Sequence, residues 1–255
     1  MVYGIYLSAT GVITSSHRQD VIANNLANLE TTGFKRALSL VQQRPPESRE
    51  NGRGDLSNPI LDEIGGGLFL SPTQIDRTQG LLLPTESTLN LAVFGEGYFA
   101  VRDGEKTRLT RNGNFMLDRN GTLILSDASG KPVLDVKQKP ITLDATKLDQ
   151  TSIGRDGTIA INGQFAAQIG VFDVEDPRNL VPVGGTMLAP VGDAPIKRVV
   201  APTMQSGYLE LSNVDPATEL TQLMDAQRQL EANANMIRFQ DQTLGRLVND
   251  VGKIS

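Results

Sequence analysis

The sequence predicts an α+β chain with N- and C-terminal helices forming a coiled-coil layer plus a separate central antiparallel all-β domain. Three observations predict it: the placing of the breaker residues, a 3-4 apolar spacing at both ends, and Asn-Gly or Asp-Gly pairs through the middle. Of the 13 prolines 12, and of the 25 glycines 20, lie between residues 36 and 208. Residues 1–44 and 217–255 hold no proline at all. Proline and glycine are the strongest punctuation of local structure. The ends therefore read as long helices and the middle as a string of short elements.

The N-terminal helical segment is placed at residues 1–35. Val2, Ile5, Ala9, Val12, Ser16, Gln19, Ala23 and Leu26 keep 3-4 spacing with six of the eight apolar, and Thr32-Gly33 supplies a stop. Periodicity alone also fits an ordinary amphipathic helix. Two seams of matched type at opposite ends favour pairing with each other or with neighbouring copies. Residues 36–74 follow as an extended connector, because the stretch from Gln42-Gln43-Arg44-Pro45-Pro46 to Gly65-Gly66-Gly67 is polar, charged and rich in breakers.

The central β domain is placed at residues 75–207. Strands are expected at Leu89–Phe94, Tyr98–Arg102, Arg108–Arg111, Phe115–Asp118, Thr122–Leu125, Thr158–Ile161 and Phe165–Phe172. Between them stand Asp103-Gly104, Asn112-Gly113, Asn120-Gly121, Asp156-Gly157 and Asn162-Gly163. Such pairs are the strongest local hairpin signals, since both central residues of the favoured tight turn need positive φ.

The C-terminal helical segment is placed at 208–255, paired with 1–35. Asp215 can cap, Pro216 suits the first helical position and Glu219 sits in the first turn. Leu220, Leu223, Gln227, Leu230, Ala234, Ile237, Asp241, Leu244, Val248 and Val251 follow strict 3-4 spacing, eight of the ten apolar. A seam held that long points to a coiled coil. Residues 216–255 could span roughly 60 Å as helix, too long to fold against one small core.

Composition excludes several classes of function. The net charge of −5 argues against a nucleic-acid or anionic-membrane binder, which needs a basic footprint. Zero cysteine removes disulfides, thiolate metal sites and cysteine nucleophiles. No run approaches the ~18 apolar residues of a membrane span, and the Met1-Val2-Tyr3-Gly4-Ile5 start lacks the features of a cleavable signal. Gly95-Glu96-Gly97-Tyr98-Phe99-Ala100 matches the loose dinucleotide fingerprint, but it leads into a strand where that fingerprint needs a helix, so a turn is expected. His17 is the lone histidine, and Asp173, Glu175 and Asp176 lack calcium-loop spacing. Asn120-Gly121-Thr122 fits a glycosylation sequon but reads better as a hairpin turn. No catalytic residues, no cofactor, no metal and no small-molecule substrate are expected.

Ala23-Asn24-Asn25-Leu26-Ala27-Asn28-Leu29-Glu30-Thr31-Thr32-Gly33-Phe34-Lys35 resembles the N-terminal signature of the bacterial flagellar rod and hook family. Gly207-Tyr208-Leu209-Glu210-Leu211-Ser212-Asn213-Val214, followed by Ala226-Gln227-Arg228, Glu231 and Asn233, resembles its C-terminal signature. Between them, Thr78-Gln79-Gly80, Ala92-Val93, Gly95-Glu96-Gly97-Tyr98-Phe99, Thr110-Arg111-Asn112-Gly113-Asn114-Phe115 and Ile153-Gly154-Arg155-Asp156-Gly157 look like the family's central landmarks. Leu230 departs from a common aromatic, Glu30 from a usual Asn and Leu109 from a common Tyr. A length of 255 with one β domain is similar to the rod proteins more than to the hook protein. Ile5-Tyr6, Thr110 to Asn114 and Ser206 to Glu210 lean toward the proximal over the distal rod.

The resemblance implies a structural subunit of the flagellar rod, a hollow shaft that crosses the periplasm and transmits torque. It implies partners among copies of the same chain and other rod or hook subunits, and export through the flagellar secretion apparatus. In that role Ile5, Ala9, Val12, Leu26, Leu220, Leu223, Leu230, Ala234, Ile237, Leu244, Val248 and Val251 are the expected assembly seam. Two other readings fit the residues alone: a secreted adhesive or carbohydrate-binding β protein oligomerised by its helices, and a cytoplasmic coiled-coil adaptor.

Overall fold

The computed structural model describes residues 2–45, 66–144, 150–192 and 194–251, so part of the expected connector lies outside the described residues. Helix α1 (Val2–Ala27) is followed by β1 (Ala37–Leu38), β2 (Val41–Gln43), β3 (Leu68–Leu70), β4 (Gln74–Ile75) and β5 (Leu82–Pro84). Then come β6 (Leu91–Phe94), β7 (Tyr98–Asp103), β8 (Lys106–Thr110), β9 (Phe115–Leu117) and β10 (Leu123–Leu125). The middle continues with β11 (Thr151–Ile153), β12 (Thr158–Ile161), β13 (Gln164–Gln168), β14 (Val171–Val174) and β15 (Leu180–Gly184). It closes with β16 (Met187–Pro190), β17 (Ile196–Arg198), β18 (Thr203–Ser206), β19 (Tyr208–Glu210) and α2 (Pro216–Val251). Terminal helices flanking an antiparallel middle give the expected α+β class.

The chain divides into two compact units. One holds residues 1–26, 38–73 and 216–255; the other holds 27–37 and 74–215. The expected β span of 75–207 lies inside the second unit, which also takes in the last residue of α1 and the ten that follow it.

In the first unit α1 and α2 run antiparallel. Gly4 lies against Gln240 and Gly11 against Asn233, and Asn25 Nδ2 donates to a Glu219 carboxylate oxygen at 3.1 Å. Each step of seven residues along α1 is thus matched by seven backwards along α2. The α1 face involved is Gly4, Ser8, Gly11, Ser15, Ile22 and Asn25, a stripe of mostly small or polar side chains. A β-carbon on Gly4 or Gly11 would come within 2.6 Å of the facing amide, so the backbones approach because those positions are glycine. Helix α2 starts as its signals dictate, with Asp215 before Pro216 and Glu219 buried in the first turn. Strands β2 and β3 pair as a two-stranded ribbon, Val41 opposite Leu70. Its Gly67 end rests on Tyr6 and Thr10 of α1.

The second unit is built on a six-stranded antiparallel sheet in the order β15-β16-β8-β7-β14-β17. Central β7 is buried on both faces, and its period-2 alternation feeds two cores. Phe99 and Val101 join Phe115, Leu123, Leu125, Ile159 and Val171. Tyr98 and Ala100 join Leu109, Leu134, Phe172 and Leu188. Phe99 and Phe115 meet edge to face at 5.0 Å between centroids, an arrangement favoured by the ring quadrupole.

Four of the five turn pairs join neighbouring antiparallel strands. Asn162 (φ 55°) and Gly163 (φ 76°) close the β12–β13 hairpin with both central residues at positive φ. The exception is Asn112-Gly113. β8 pairs with β7 and β16, while β9 pairs with β10, so no hairpin joins β8 to β9. Gly113 is needed for a different reason: a β-carbon there would sit 1.6 Å from the Leu91 carbonyl oxygen. The span Phe165–Phe172 is likewise not one strand. The chain leaves β13 at Ile169-Gly170 and enters the large sheet as β14, with Gly170 pressed against the Asp135 carbonyl and the Phe172 ring. Gly95 and Gly97 form the bend between β6 and β7, and the element they lead into is a strand.

Candidate functional site

Two features carry the family-like residues: the faces of the terminal helices, and a buried node in the β unit. On the helices the expected seam divides by depth. Ile5, Ala9, Val12 and Leu26 of α1 are half-buried, as are Leu223, Leu230, Ala234, Ile237 and Leu244 of α2. Leu220 is 52% exposed and Val248 71%; the side chain of Val251 lies outside the described residues. The α1 residues that face α2 are instead the small stripe one position away, so the apolar seam of α1 is not used up by that pairing. Further apolar side chains stand exposed on both helices: Tyr6 and Ile13 on α1, and Met224, Met236, Phe239 and Leu247 on α2.

The node is assembled from five segments far apart in sequence. Glu210, at the end of β19, is fully buried. Its carboxylate accepts from Lys35 Nζ at 2.6 Å, from the Gly80 amide at 3.1 Å and from Arg111 Nη1 at 3.1 Å. Its backbone carbonyl accepts from the Gly33 amide at 2.7 Å. Lys35 Nζ also donates to the Thr78 carbonyl at 2.7 Å. Arg111 spreads over the β6–β7 bend, donating to the carbonyls of Val93 and Gly95, with its guanidinium 5.1 Å from the Tyr98 ring centroid. The Arg111 Nε and the Tyr98 hydroxyl have no hydrogen-bond partner among the described residues.

Asn213 finishes the arrangement. Its Oδ1 accepts from the Arg36 amide at 2.7 Å, and its Nδ2 donates to the carbonyls of Asp76 and Thr78. Gly33 has φ 70°, and a β-carbon there would lie 2.2 Å from the Asn112 nitrogen. Glycine is required twice over, for conformation and for space. Burial pulls the Lys35 ammonium below its ordinary value, with the neighbouring Glu210 carboxylate opposing. Burial raises Tyr98, against the pull of Arg77 and Arg111.

The motif residues therefore fall into distinct roles. Gly33 and Asn213 sit in the node beside Lys35, Phe34 and Val214 are buried, and Ser212 Oγ accepts from the Val214 amide at 3.4 Å. Asn25 binds Glu219. Asn28 takes the Thr31 hydroxyl on its Oδ1 and the Thr31 amide on its carbonyl, turning the chain after α1, and Thr32 is half-buried beside it. Asn24 and Ala27 lie on the exposed side, next to half-buried Leu26. Sequence reasoning placed Lys35, Arg111 and Glu210 inside motifs without giving them a role. Nothing in the sequence marks three charges 76 to 175 residues apart as neighbours. The small stripe on α1 could have been read, because Gly4, Ser8, Gly11 and Ser15 keep 4-3-4 spacing.

Chemically the node is a sink for hydrogen bonds and charge, without an open cavity or a poised nucleophile. Among the described residues no group of three His, Cys, Asp or Glu is placed to hold a metal ion, and no helix is long and apolar enough to cross a membrane.

Three family descriptions match the chain. "Flagella basal body rod protein" matches residues 5–35. "Flagellar hook protein FlgE/F/G D1 domain" matches residues 92–161. "Flagellar basal body rod FlgEFG protein C-terminal" matches residues 205–250. The chain is 30% identical to the flagellar basal-body rod protein FlgG of Bacillus subtilis, over 98% of this chain and 99% of that protein. It is 29% identical to the rod protein FlgF of Caulobacter vibrioides, over 98% of each. It is 26% identical to the flagellar hook-basal body complex protein FlhO of Bacillus subtilis, over the full length of both. The first and third matches carry the two terminal motifs, and the node joins both of those matched segments with the central one. The chain belongs to the flagellar basal-body rod and hook family, whose members are structural proteins and not enzymes.

Proposed function

We propose that this rod protein polymerises through its terminal helices, with copies of itself and other rod or hook subunits, into a hollow shaft that transmits torque across the periplasm. Export through the flagellar secretion apparatus belongs to the same reading, as does a place in the proximal or the distal rod, with the proximal preferred. The seam from Ile5 to Val251 supplies the packing between neighbouring copies. The observation that carries it is the apolar surface left open on α1 and α2. Isolated soluble chains seldom leave large apolar groups grouped in this way unless a partner covers them. Polar seam positions such as Ser16, Gln19, Gln227 and Asp241 suit partner and register choice, a known use of polar core positions.

The test is genetic and biochemical together. Deleting the gene should abolish motility and stop assembly before the filament, and the tagged protein should co-purify with basal bodies. A deletion strain that builds full, rotating flagella with no paralogue to substitute would refute the reading.

A further inference from the structure

The buried node has a consequence for how the chain folds, independent of the assembly reading. Residues 27–37 continue directly from α1 yet belong to the β unit. What holds them there is concentrated in four residues: Gly33 on the Glu210 carbonyl, Lys35 on the Glu210 carboxylate and Thr78, Arg36 on Asn213, and Phe34 buried alongside. The same Glu210 carboxylate orients Arg111, and Arg111 ties down the Val93 and Gly95 carbonyls at the β6–β7 bend.

We propose that Glu210 is a latch that couples docking of the 33–36 segment to closure of the β unit at the β6–β7 bend and at residues 110–113. Buried charge supplies the coupling. Lys35, Arg111 and Glu210 are all almost completely removed from solvent. A buried charge that loses a partner costs far more than an exposed pair contributes. With residues 33–36 displaced, Glu210 keeps only Arg111 and the Gly80 amide, and the groove along Arg111-Asn112 that receives Gly33 opens to water. Water entering there competes for the guanidinium that holds residues 93–95. Displacing the N-terminal segment therefore loosens a bend nearly 60 residues further along the chain. The hairpin β12–β13, built on its own turn and paired with β11, shares none of these bonds among the described residues.

The experiment is amide hydrogen exchange on the full chain carrying Lys35→Met or Gly33→Ala. The first removes one cation and the second displaces the segment sterically with every charge kept. Both should speed exchange roughly tenfold or more at residues 33–36, 93–95 and 110–113, with residues 158–168 unchanged. Lys35→Arg, which keeps the charge, should recover most of the protection. Faster exchange confined to 33–36 would overturn the latch, since the segment would then be a passive strap. A uniform acceleration that includes 158–168, or wholesale loss of fold in both variants, would also overturn it, because the node would then be a general stabiliser and not a coupling device.

Discussion

Lys35 is a lysine that burial has pulled below its ordinary value of 10.5, while Glu210 resists the shift. The sign of its effect on stability follows. Between the lowered folded value and 10.5 the unfolded chain binds more protons than the folded one, so raising pH through that window favours the fold. Compared with Lys35→Met, which does not titrate, the wild type should gain in Tm as pH climbs from neutrality toward about pH 10. Tyr98, raised by burial above its ordinary value of 10.0, titrates above that window in the folded chain. A gap in Tm that is flat or shrinks with pH would contradict this assignment. Glu210→Gln is the harsher change, because it removes the carboxylate that both buried cations bind. It should lower the free energy of unfolding by about 3–5 kcal/mol, read from urea denaturation of the full chain. None of this was legible beforehand. Composition counts charges but does not bury them, and the three partners, far apart in sequence, meet only in the folded chain.

At the scale of elements, the two terminal helices show what periodicity does and does not reveal. Their existence, their ends and the Asp215-Pro216 start follow from breakers and caps, which act within a few residues. Their contact does not follow in the same way. The apolar 3-4 seam is a true pattern, but along α1 the chain itself uses the adjacent stripe of Gly4, Ser8, Gly11 and Ser15, which carries little hydropathy to detect. Gly11→Leu should force the helices apart, since even a β-carbon there lies 2.6 Å from the Asn233 amide. Loss of motility should follow, and Asn233→Gly in the same chain should restore part of it. Failure of that pairing to rescue, with Gly11→Leu alone harmless, would mean the stripe is not a working contact. Leu220→Asp and Val248→Asp probe the other face. Both residues are largely exposed in the isolated chain, so monomer stability should shift by no more than about 0.5 kcal/mol while basal-body assembly fails. The β elements divide similarly. Asn162-Gly163 folds as its own chemistry dictates, whereas Asn112-Gly113 answers to the Leu91 backbone, a partner that no local pattern contains.

For the whole molecule the two units differ in what holds them. The β unit has two apolar cores on either face of β7. Among the described residues of α1 and α2 the buried apolar side chains are Val21, Ile22 and Ala226, beside Ser8, Thr14, Ser15, Asn25 and Glu219. Apolar burial contributes about 25 cal/mol per Å², and ordering the backbone costs roughly 1–2 kcal/mol per residue. A face of small polar side chains offers too little apolar area to offset the ordering of two long helices. We therefore expect residues 1–26 and 216–251 to be frayed in the dilute subunit and to become stably helical when neighbours cover Ile5, Ala9, Val12 and the exposed residues of α2. This is coupled folding and association. It keeps the assembly surface from forming before a growing end is present, which limits polymerisation in the wrong place. Hydrogen exchange and limited proteolysis on a protein shown to be monomeric measure it directly. The β7, β8 and β14 amides should be protected and those of both helices should not, with the helical amides gaining protection on polymerisation. If the helices of the monomer are as protected as β7, they are stabilised within one subunit, and assembly must draw its driving force from the β units instead.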